Sequence, residues 1–440
     1  MPGDAQSSGK FDPLSGARPG RLRDLRIAVV GMGYVGLPTA LALAVEGAEV
    51  LGLDIDEGRL ADIKDNRVDM FARDLVELER VVAERLLVLA AEPSALDSVD
   101  AMIICVPTPI DAHFTPDLAA LSSVCAQVVD HAQPGQTIVL ASTTYVGCTD
   151  ELLVKPLQAR GFHVGRDIFV AFSPERIDPG VAEHRPDTTP RVVGGYTQAC
   201  SDHAARFLSH TASELHMVAS PEVGEMAKLL ENTFRAVNIA LANEFADAAR
   251  IMNIDIVDVI EAASTKPYGF MPFYPGAGVG GHCIPCDPYY LLWQLRSRRV
   301  TSPVVEASMT GIAIRPRQVL ARAQRILADD RRPIRSARIL VLGVSYKPGV
   351  SDVRESPALA IIEMMAGEGA EVAFSDNYVA AIATQTVGQL YRVERPSEEL
   401  WDLVVVHTIH PGQDCSWLAS QAAVLDTTYR LEGIKGLHRL

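Results

Sequence analysis

The sequence predicts an α/β protein in which two Rossmann-like, doubly wound lobes are joined by a central domain of long helices. Near both ends of the chain, short apolar runs alternate with helical periodicity, which is typical of a parallel sheet covered by helices. In the middle, this alternation gives way to long helical stretches. At 440 residues the chain is also too long for one core. We expect a disordered tail at 1–20, a first lobe at 21–213, a central helical domain at 214–315 and a second lobe at 316–440.

The first lobe begins with a strand over Arg26–Val30, and a glycine-rich turn connects it to an apolar helix over Leu37–Val45. The next strand, Glu49–Leu53, ends at Asp54. Later in this lobe we expect strands at 101–106, 137–141 and 168–172 and helices at 118–131 and 150–160. Residues 1–20 are rich in Gly, Pro, Ser and charge and hold no apolar run, so they predict a disordered tail and not a signal peptide.

The central domain is predicted to contain two long helices. The first spans Pro221 to about Ile251, and the second spans about Val304–Leu327, with Pro316 kinking or breaking it. A Gly- and Pro-rich segment over Lys266–Pro288 lies between them. Long helices in this position commonly bury their apolar faces against a partner subunit, so we expect a homodimer formed through the central helices.

The second lobe repeats the α/β alternation without the three-glycine turn. Ser356 and Pro357 form a plausible N-cap and first-turn proline for a helix that runs to Gly367. A loop over 343–355 precedes this helix. We expect strands at 339–342, 371–374, 403–406 and 423–425.

Composition excludes several classes of partner. The chain has 40 basic and 55 acidic residues, a formal net charge of −15, so it lacks the basic surface that binds nucleic acid or anionic membranes. No apolar stretch approaches the roughly 18 to 20 residues that a membrane helix needs. The seven cysteines show no disulfide framework, which predicts a reducing, cytoplasmic location.

Gly31, Gly33 and Gly36 have the spacing of a dinucleotide-binding turn, and Tyr34 and Val35 lie within it. The first glycine permits the turn, the second lets a pyrophosphate approach, and the third lets the helix pack on the strand. A strand precedes this turn and a helix follows, with Asp54 at the end of the next strand. Asp54 is placed to accept from ribose hydroxyls, which favours NAD over NADP, whereas Arg59 would suit a 2′-phosphate.

Cys283 stands behind a loop of glycines, four residues ahead of Asp287. Such a loop exposes backbone and presents the thiol to a ligand, so we interpret Cys283 as a nucleophile. Cys286 completes a C-x-x-C pair, but a zinc site would need two further ligands and no second pair exists. We therefore treat Cys286 as incidental and expect no metal site. His282 either lowers the thiol pKa or is an outward-facing neighbour.

Other polar residues fall where ligands bind. Lys228 and Asn232 lie one turn apart on the first long helix and could converge on a developing alkoxide. Glu175 follows the carboxyl end of a strand, where open α/β sheets place ligands. Lys347 and Arg354 precede the Ser356 helix start and are candidates for binding a diphosphate.

Together these residues resemble the nucleotide-sugar 6-dehydrogenases, the family of UDP-glucose dehydrogenase, over nearly the whole chain from about Arg21. The matching pieces are the glycine turn, Thr108, Ser142-Thr143, Glu175, Glu225 with Lys228 and Asn232, Gly280 to Cys283, Asp287, Tyr346-Lys347 and Asp352 to Ser356. The resemblance implies an NAD-binding first lobe and a second lobe that binds the nucleotide sugar.

The resemblance also implies a mechanism. One NAD⁺ oxidises the sugar's C6 alcohol to the aldehyde, Cys283 captures it as a thiohemiacetal, and a second NAD⁺ gives a thioester that water hydrolyses. By similarity, Lys228 and Asn232 stabilise the oxyanion, Asp287 and Thr143 handle water and protons, and Glu175 is the acid/base glutamate. Thr108 and Thr143 would also contact the cofactor.

At two positions this sequence differs from family members that use glucose, and both differences concern the substrate. Members that use glucose commonly have a Lys where this chain has Cys286, and an Arg that reaches the partner subunit's site, a role that Lys266 would take here. We also expect Tyr274 and Gly280 to contact substrate. The local sequence around Lys266 and Cys283 resembles that of members that use UDP-N-acetylglucosamine. The divergent Cys286 would instead suit a member that uses UDP-glucose or dTDP-glucose.

Two alternatives remain open at this point. One is a two-electron dehydrogenase of a hydroxy acid or sugar in which Cys283 is structural. The other is a nucleotide-sugar sensor without turnover, which would have no need of a nucleophile. Oxidation could also join Cys283 to Cys286 and switch the enzyme off reversibly.

Overall fold

The computed structural model describes residues 22–176 and 188–440, so the predicted tail at 1–20 lies outside the described residues. The described chain divides into two compact units. The first comprises residues 22–111, 116–176 and 188–228, and the second comprises residues 112–115 and 229–440.

The first unit contains a large, mostly parallel sheet. Its strands are β1 (Arg26–Val30), β2 (Glu49–Leu53), β3 (Leu87–Ala90), β4 (Ala101–Ile104), β5 (Thr137–Leu140), β6 (Phe169–Phe172), β7 (Arg191–Gly195) and β8 (Leu215–Val218). They lie in the order β3-β2-β1-β4-β5-β6-β7-β8, and only β6 and β7 pair antiparallel. The strand order reverses between β1 and β4, which is where open α/β sheets bind ligands.

Helices cover this sheet. Those of the first unit are α1 (Gly36–Val45), α2 (Glu57–Lys64), α3 (Ala72–Ala83), α4 (Ala119–His131), α5 (Lys155–Ala159) and α6 (Gln198–Leu208). The helix predicted at 150–160 begins as a π-helical turn, Asp150–Val154, before α5. β4, β5 and β6 are buried along their whole length, as expected for a parallel sheet with both faces covered.

Sequence patterns missed β3, β7 and β8. β7 starts with an arginine and ends with two glycines, and β8 is half exposed with a histidine in it, so neither has the apolar run that marks a buried strand. Their pairing is set by neighbours: Ala171 of β6 pairs with Gly195 of β7, and Gly194 pairs with Val218 of β8.

The central helices begin with α7 (Pro221–Ile251), which crosses the boundary between the units and has the predicted bounds. The second unit continues with α8 (Ile256–Ser264), α9 (Asp287–Ser297), α10 (Pro303–Asp329) and α11 (Pro357–Gly367). α10 continues through Pro316, so the predicted break is wrong. The preceding residue, Arg315, is almost fully buried and donates to Gly276 O and Asp247 at 2.9 Å, contacts that hold the helix where proline removes a hydrogen bond.

The second unit has its own parallel sheet. Its strands, together with a separate hairpin, are β9 (Arg338–Leu342), β10 (Glu371–Ser375), β11 (Ala381–Thr384), β12 (Gly388–Tyr391), β13 (Leu403–Val406), β14 (Val424–Asp426) and β15 (Leu437–Arg439). The sheet order is β10-β9-β13-β14-β15, while β11 and β12 form the hairpin. The hairpin and β15 were not predicted, but the four predicted strands are confirmed.

These elements confirm the predicted fold class: an N-terminal Rossmann-like sheet, long central helices and a smaller C-terminal parallel sheet. Within residues 22–176 and 188–440, none of the helices combines the length and apolar character that crossing a membrane would require.

Candidate active site

The glycine turn after β1 leaves room where a dinucleotide pyrophosphate would approach. Gly31 has φ +91°, and a Cβ there would lie 2.8 Å from the carbonyl oxygen of Cys105. A Cβ on Gly36 would lie 1.7 Å from the Gly31 oxygen, so close packing requires both glycines. A Cβ on Gly33 would meet nothing within 4 Å. α1 begins at Gly36 without a side-chain cap, and Leu37 N and Thr39 N donate to Gly33 O and Val35 O at 3.1 Å. The positive end of the helix dipole at this turn would favour an anion.

Asp54, at the end of β2, is tied to this turn. One carboxylate oxygen accepts from Met32 N at 2.7 Å and the other from Asp56 N at 3.0 Å. The guanidinium of Arg59 donates to Met32 O at 2.9 Å, so it supports the backbone of the turn. The residues around this turn therefore fit an NAD molecule, with the pyrophosphate at the helix start and the ribose beside Asp54.

Three further predicted residues follow strand ends at the same edge of the sheet. Thr108 comes after β4 and is buried, Thr143 comes after β5 and is half-buried, and Glu175 comes after β6. Within the glycine turn, Tyr34 is exposed and Val35 is half-buried. The first unit thus places Thr108, Thr143 and Glu175 after the carboxyl ends of their strands, at the same edge as the glycine turn and Asp54, whereas the predicted Arg59 lies on α2.

Glu175 is held by a buried arginine that sequence reasoning missed. Arg191, 4% exposed, lies 3.3 Å from the Glu175 carboxylate. Its Nε also donates to Ser173 Oγ at 2.9 Å. The ammonium of Lys228 donates to the Glu175 carbonyl oxygen at 2.8 Å, which brings two predicted site residues together. An arginine at the start of a strand carries no sequence signal of its own, so only the fold reveals this role.

Glu225, one turn before Lys228 on α7, is fully buried and anchors the loop after β5. Its carboxylate accepts from Thr149 N at 2.9 Å, Thr149 Oγ1 at 2.7 Å and Gly147 N at 2.5 Å. Burial raises the pKa of Glu225, although these hydrogen bonds oppose the increase. The loop that carries Thr143 is therefore fixed to the helix that carries Lys228.

In the second unit, two helices hold the start of the glycine-rich loop. Asn243 of α7 accepts from Gly276 N at 2.9 Å, and Arg315 of α10 donates to Gly276 O at 2.9 Å. Arg315 also pairs with Asp247 at 2.9 Å. Because both groups of one peptide are bound, the loop begins from a fixed point.

The loop then packs against the segment that follows β9. A Cβ on Gly278 would lie 2.9 Å from the Pro357 side chain. A Cβ on Gly280 would lie 2.6 Å from the Tyr346 side chain, and a Cβ on Gly281 would lie 2.9 Å from it. Gly281 N donates to Arg354 O at 3.0 Å. Glycines are needed here because two stretches of backbone approach each other closely.

Cys283 emerges from this loop as an exposed residue, whereas Cys286 and Asp287 are buried. The Cys283 carbonyl accepts from Cys286 N at 3.1 Å and Asp287 N at 2.8 Å, so a helical turn leads into α9. Asn232 of α7 donates its side-chain amide to the Asp287 carboxylate. The second unit therefore brings Asn232 and Asp287 together one turn from an accessible thiol.

His282 is half-buried, and burial together with the nearby Arg354 charge lowers its pKa. The lowered pKa favours the neutral imidazole, which argues against His282 as the source of a positive charge beside Cys283.

The remaining predicted residues of the second unit lie on two loops, at 266–280 and at 343–356. Arg354 makes a two-pronged contact with Asp352, at 3.0 and 2.7 Å, while Lys347 is half-buried. Ser356 caps α11 through its hydroxyl, as predicted. Lys266 and Tyr274 are both exposed, and the Lys266 ammonium lies 5.0 Å from the Tyr268 ring.

Comparison with known protein families identifies the family to which this chain belongs. Three family models match in succession: the NAD-binding domain of the UDP-glucose/GDP-mannose dehydrogenase family at residues 25–212, its central domain at 222–310 and its UDP-binding domain at 340–431. The chain belongs to the UDP-glucose/GDP-mannose dehydrogenase family. It is therefore a nucleotide-sugar dehydrogenase with an NAD-binding domain, as the sequence motifs predicted.

Individual relatives agree with the family. The UDP-N-acetyl-D-glucosamine 6-dehydrogenase of Pseudomonas aeruginosa is 32% identical over 391 residues, covering 88% of this chain and 91% of that protein. The UDP-N-acetyl-D-mannosamine dehydrogenase of Methanocaldococcus jannaschii is 33% identical over 357 residues, covering 80% and 79%. The solved structure of the UDP-D-ManNAc dehydrogenase from Pyrococcus horikoshii superimposes with a TM-score of 0.85 at 30% identity, covering 94% and 98%.

Proposed function

We propose that this protein oxidises the C6 alcohol of a UDP-N-acetylhexosamine to the carboxylate, in a four-electron reaction that uses two NAD⁺. The observation that carries the proposal is the exposed Cys283, one helical turn before the buried and Asn232-bound Asp287, in a chain of this family. The N-acetylated sugar is supported by the two relatives, 32% and 33% identical, that are named for UDP-N-acetylglucosamine and UDP-N-acetylmannosamine.

The cysteine is required because both oxidations occur at the same carbon. After the first oxidation, the Cys283 sulfur adds to the aldehyde carbon and retains the sugar as a thiohemiacetal while the cofactor exchanges. After the second, the thioester keeps the acyl group until water attacks it. A free aldehyde would instead be able to diffuse away between the two steps.

The other residues carry charge and protons. Lys228 and Asn232 donate hydrogen bonds to the oxygen as it gains negative charge at C6. Asp287, buried and held by Asn232, accepts a proton from the attacking water. Thr143 is the other residue proposed to handle water and protons. Glu175, oriented by Arg191, exchanges the proton of the C6 alcohol and of the bound intermediate.

The glycine turn and Asp54 would hold NAD, with Thr108 and Thr143 as further contacts. When bound, NAD⁺ supplies a hydride acceptor for each of the two oxidations. Lys347 and Arg354 would bind the diphosphate of the sugar nucleotide near the start of α11, and Lys266, Tyr274 and Gly280 would contact the rest of the substrate.

A substrate panel tests the proposal. Purified protein is supplied with NAD⁺ and either UDP-N-acetylglucosamine, UDP-N-acetylmannosamine, UDP-glucose, dTDP-glucose or GDP-mannose, and NADH and the sugar product are both quantified. We expect turnover with an N-acetylated UDP-sugar and two NADH for each sugar consumed. One NADH per sugar would favour the two-electron dehydrogenase, and no NADH with any sugar would favour the sensor.

The role of the thiol is tested by Cys283→Ser, with Cys415→Ser as the matched control because Cys415 is half-buried and lies in the C-terminal sheet region. We expect Cys283→Ser to lose at least about 1,000-fold in acid production, while the control retains near-normal turnover. Acid production by Cys283→Ser at a near-normal rate would eliminate the covalent route.

We also propose that the protein is a homodimer formed through α7. In the second unit this helix presents four exposed apolar side chains at helical spacing, Leu230, Phe234, Leu241 and Phe245, each at least 48% exposed. A second copy of the same helix provides a matching apolar surface. Light scattering should give a dimer mass for the wild type and a monomer mass for Leu230→Glu/Phe245→Glu. Leu400→Glu, at an exposed position outside α7, is the control.

A further inference from the structure

We propose that Cys283 and Cys286 form a redox-active dithiol that peroxide converts reversibly into a disulfide. This inference rests on the proposed role of Cys283 as the reactive nucleophile. It assigns a function to Cys286, which the dehydrogenase chemistry does not use.

The backbone already brings the two residues to the same side of a turn. Cys286 N and Asp287 N both donate to the Cys283 carbonyl, at 3.1 and 2.8 Å, so residues 283–287 form a helical turn ahead of α9. Residues three apart on such a turn have Cβ atoms about 5–6 Å apart. A disulfide needs about 3.5–4.5 Å between Cβ atoms, so a small tightening of one turn suffices.

The two thiols also differ in accessibility in the way that a redox pair requires. Cys283 is exposed and can meet a dissolved oxidant, whereas Cys286 is only 3% exposed. In C-x-x-C motifs at helix starts, the accessible cysteine reacts first and its buried neighbour then resolves the adduct. Pro285, between them, restricts the turn, which limits the conformations that the pair must search.

The other cysteines lack this arrangement. Cys105, Cys125, Cys148 and Cys200 are buried, and burial raises the pKa of Cys105 and of Cys148 to about 12. Burial also raises the pKa of Cys415. Cys125 and Cys148 are close enough to interact electrostatically, but both are buried and burial raises the pKa of each. Oxidation should therefore be selective for the pair at 283 and 286.

The chemistry balances with hydrogen peroxide as the oxidant. The Cys283 thiolate attacks one peroxide oxygen, the O–O bond breaks, and the departing hydroxide takes up a proton to form water, leaving a sulfenic acid. The Cys286 sulfur then attacks the Cys283 sulfur, the S–O bond breaks, and a second water leaves with the Cys286 proton. Overall, two thiols and one peroxide give one disulfide and two waters, and an external dithiol reverses the oxidation by exchange.

The disulfide would have two consequences. It removes the sulfur that bonds to the substrate carbon, so turnover stops. It also protects that sulfur, because a sulfenic acid without a resolving thiol is oxidised further to the sulfinic acid, which thiol reductants do not reverse.

The experiment treats the purified full chain with a few equivalents of hydrogen peroxide, blocks remaining thiols by alkylation and maps the peptides by mass spectrometry. We expect one peptide carrying both Cys283 and Cys286 to be lighter by about 2 Da than the reduced form, with no alkylation at either position. NADH production should fall in parallel and return to at least about 80% of its starting value after dithiothreitol.

Two variants at the resolving position separate the disulfide from simple oxidation. Cys286→Val preserves the buried volume and Cys286→Ala reduces it, so a folding defect specific to one would be evident from the other. With excess peroxide, both variants should lose activity, gain about 32 Da at Cys283 and recover less than about 10% with dithiothreitol. Cys415→Ala should behave as the wild type does.

Equal recovery in wild type and both Cys286 variants would overturn the proposal, as would alkylation of Cys286 in peroxide-treated wild type. The peptide map reads the disulfide without reference to turnover. A disulfide in a protein that oxidises no sugar would therefore refute the proposed function and leave the dithiol standing. Sugar oxidation by a protein that forms no disulfide would refute the dithiol and leave the proposed function standing.

Discussion

The two parallel sheets of this chain begin in the same way and then diverge. Gly31 follows β1 and Gly343 follows β9, with φ +91° and +79°. Each donates its N–H to the end of the neighbouring strand, to Leu53 O at 2.7 Å and to Ser375 O at 2.8 Å. In each case an aspartate after that strand accepts from the residue following the glycine: Asp54 from Met32 N and Asp376 from Val344 N, both at 2.7 Å.

The aspartates differ in what remains available. Asp54 is half-buried and holds only two backbone N–H groups. Asp376 is 2% exposed and accepts from four backbone N–H groups and Ser345 Oγ, with His410 also 3.1 Å away. The Asp54 carboxylate therefore accepts fewer hydrogen bonds from the protein than the Asp376 carboxylate, whose hydrogen bonds all stabilise the fold.

The turns differ in length as well. Residues 31–35 lead directly into α1, whereas residues 343–356 separate β9 from α11. A short glycine turn recognises an anion through backbone N–H groups, and a long loop can supply basic side chains such as Lys347 and Arg354. The two turns therefore share one backbone arrangement and differ in the length and charge of the residues that follow the shared glycine.

The largest effect is expected from Gly343→Ala. A Cβ there would lie 2.0 Å from Thr408 O, and the positive φ adds strain, so we expect a loss of about 3–5 kcal/mol in the free energy of unfolding. Gly349→Ala is the matched control, because its φ is +78° but the nearest atom would be 4.0 Å away, and it should cost only about 1 kcal/mol. Urea unfolding measures both, and equal losses would show that the contact with Thr408 is unimportant.

The next effect separates the two aspartates. Asp376→Ala leaves several buried N–H groups without an acceptor and should reduce the free energy of unfolding by about 3 kcal/mol. Asp54→Ala should leave stability within about 1 kcal/mol but weaken NAD⁺ binding about 10- to 100-fold. Thermal unfolding and NAD⁺ titration of both variants test this contrast. If Asp54→Ala lowered the free energy of unfolding without weakening NAD⁺ binding, both carboxylates would have a structural role only.

Acid should act on the second sheet through Asp376. Burial raises the pKa of this carboxyl, but the His410 ring 3.1 Å away and hydrogen bonds from Tyr378 N and Val344 N outweigh burial and hold it at about 2, against an ordinary value of 3.8. The stabilisation from the charged form is therefore complete above about pH 4 and is lost as the pH falls towards 2. Asp376→Asn should show a shallower decrease in unfolding free energy than the wild type across that window. Parallel curves would exclude the carboxylate as the cause.

The smallest change in stability is expected from Gly33→Ala. Its Cβ would meet no atom within 4 Å, so the free energy of unfolding should change by less than about 1 kcal/mol. The methyl group would instead occupy the space left for the pyrophosphate, so NAD⁺ affinity should fall about 10-fold while UDP-sugar affinity is unchanged. A variant with normal NAD⁺ affinity would show that the cofactor does not approach Gly33.

Much of this could be predicted because it depends on local patterns. The glycine turn, α7 and the four predicted C-terminal strands follow from spacing and periodicity, which adjacent residues impose on the backbone. Cys283 was also predicted to be accessible, because a loop of glycines cannot cover it. β7 and β8 were missed because their strand state comes from pairing with distant partners.

The sequence by itself determined which chemical groups are present and where each stands relative to its own strand or helix. Only the tertiary structure decided that Arg191 orients Glu175 and that Asn232 holds Asp287. It also decided that Asp376 is buried and accepts more hydrogen bonds than the half-buried Asp54. The physical reason is that hydrogen bonds and burial depend on residues far apart in the chain, and no local pattern specifies which of them will meet.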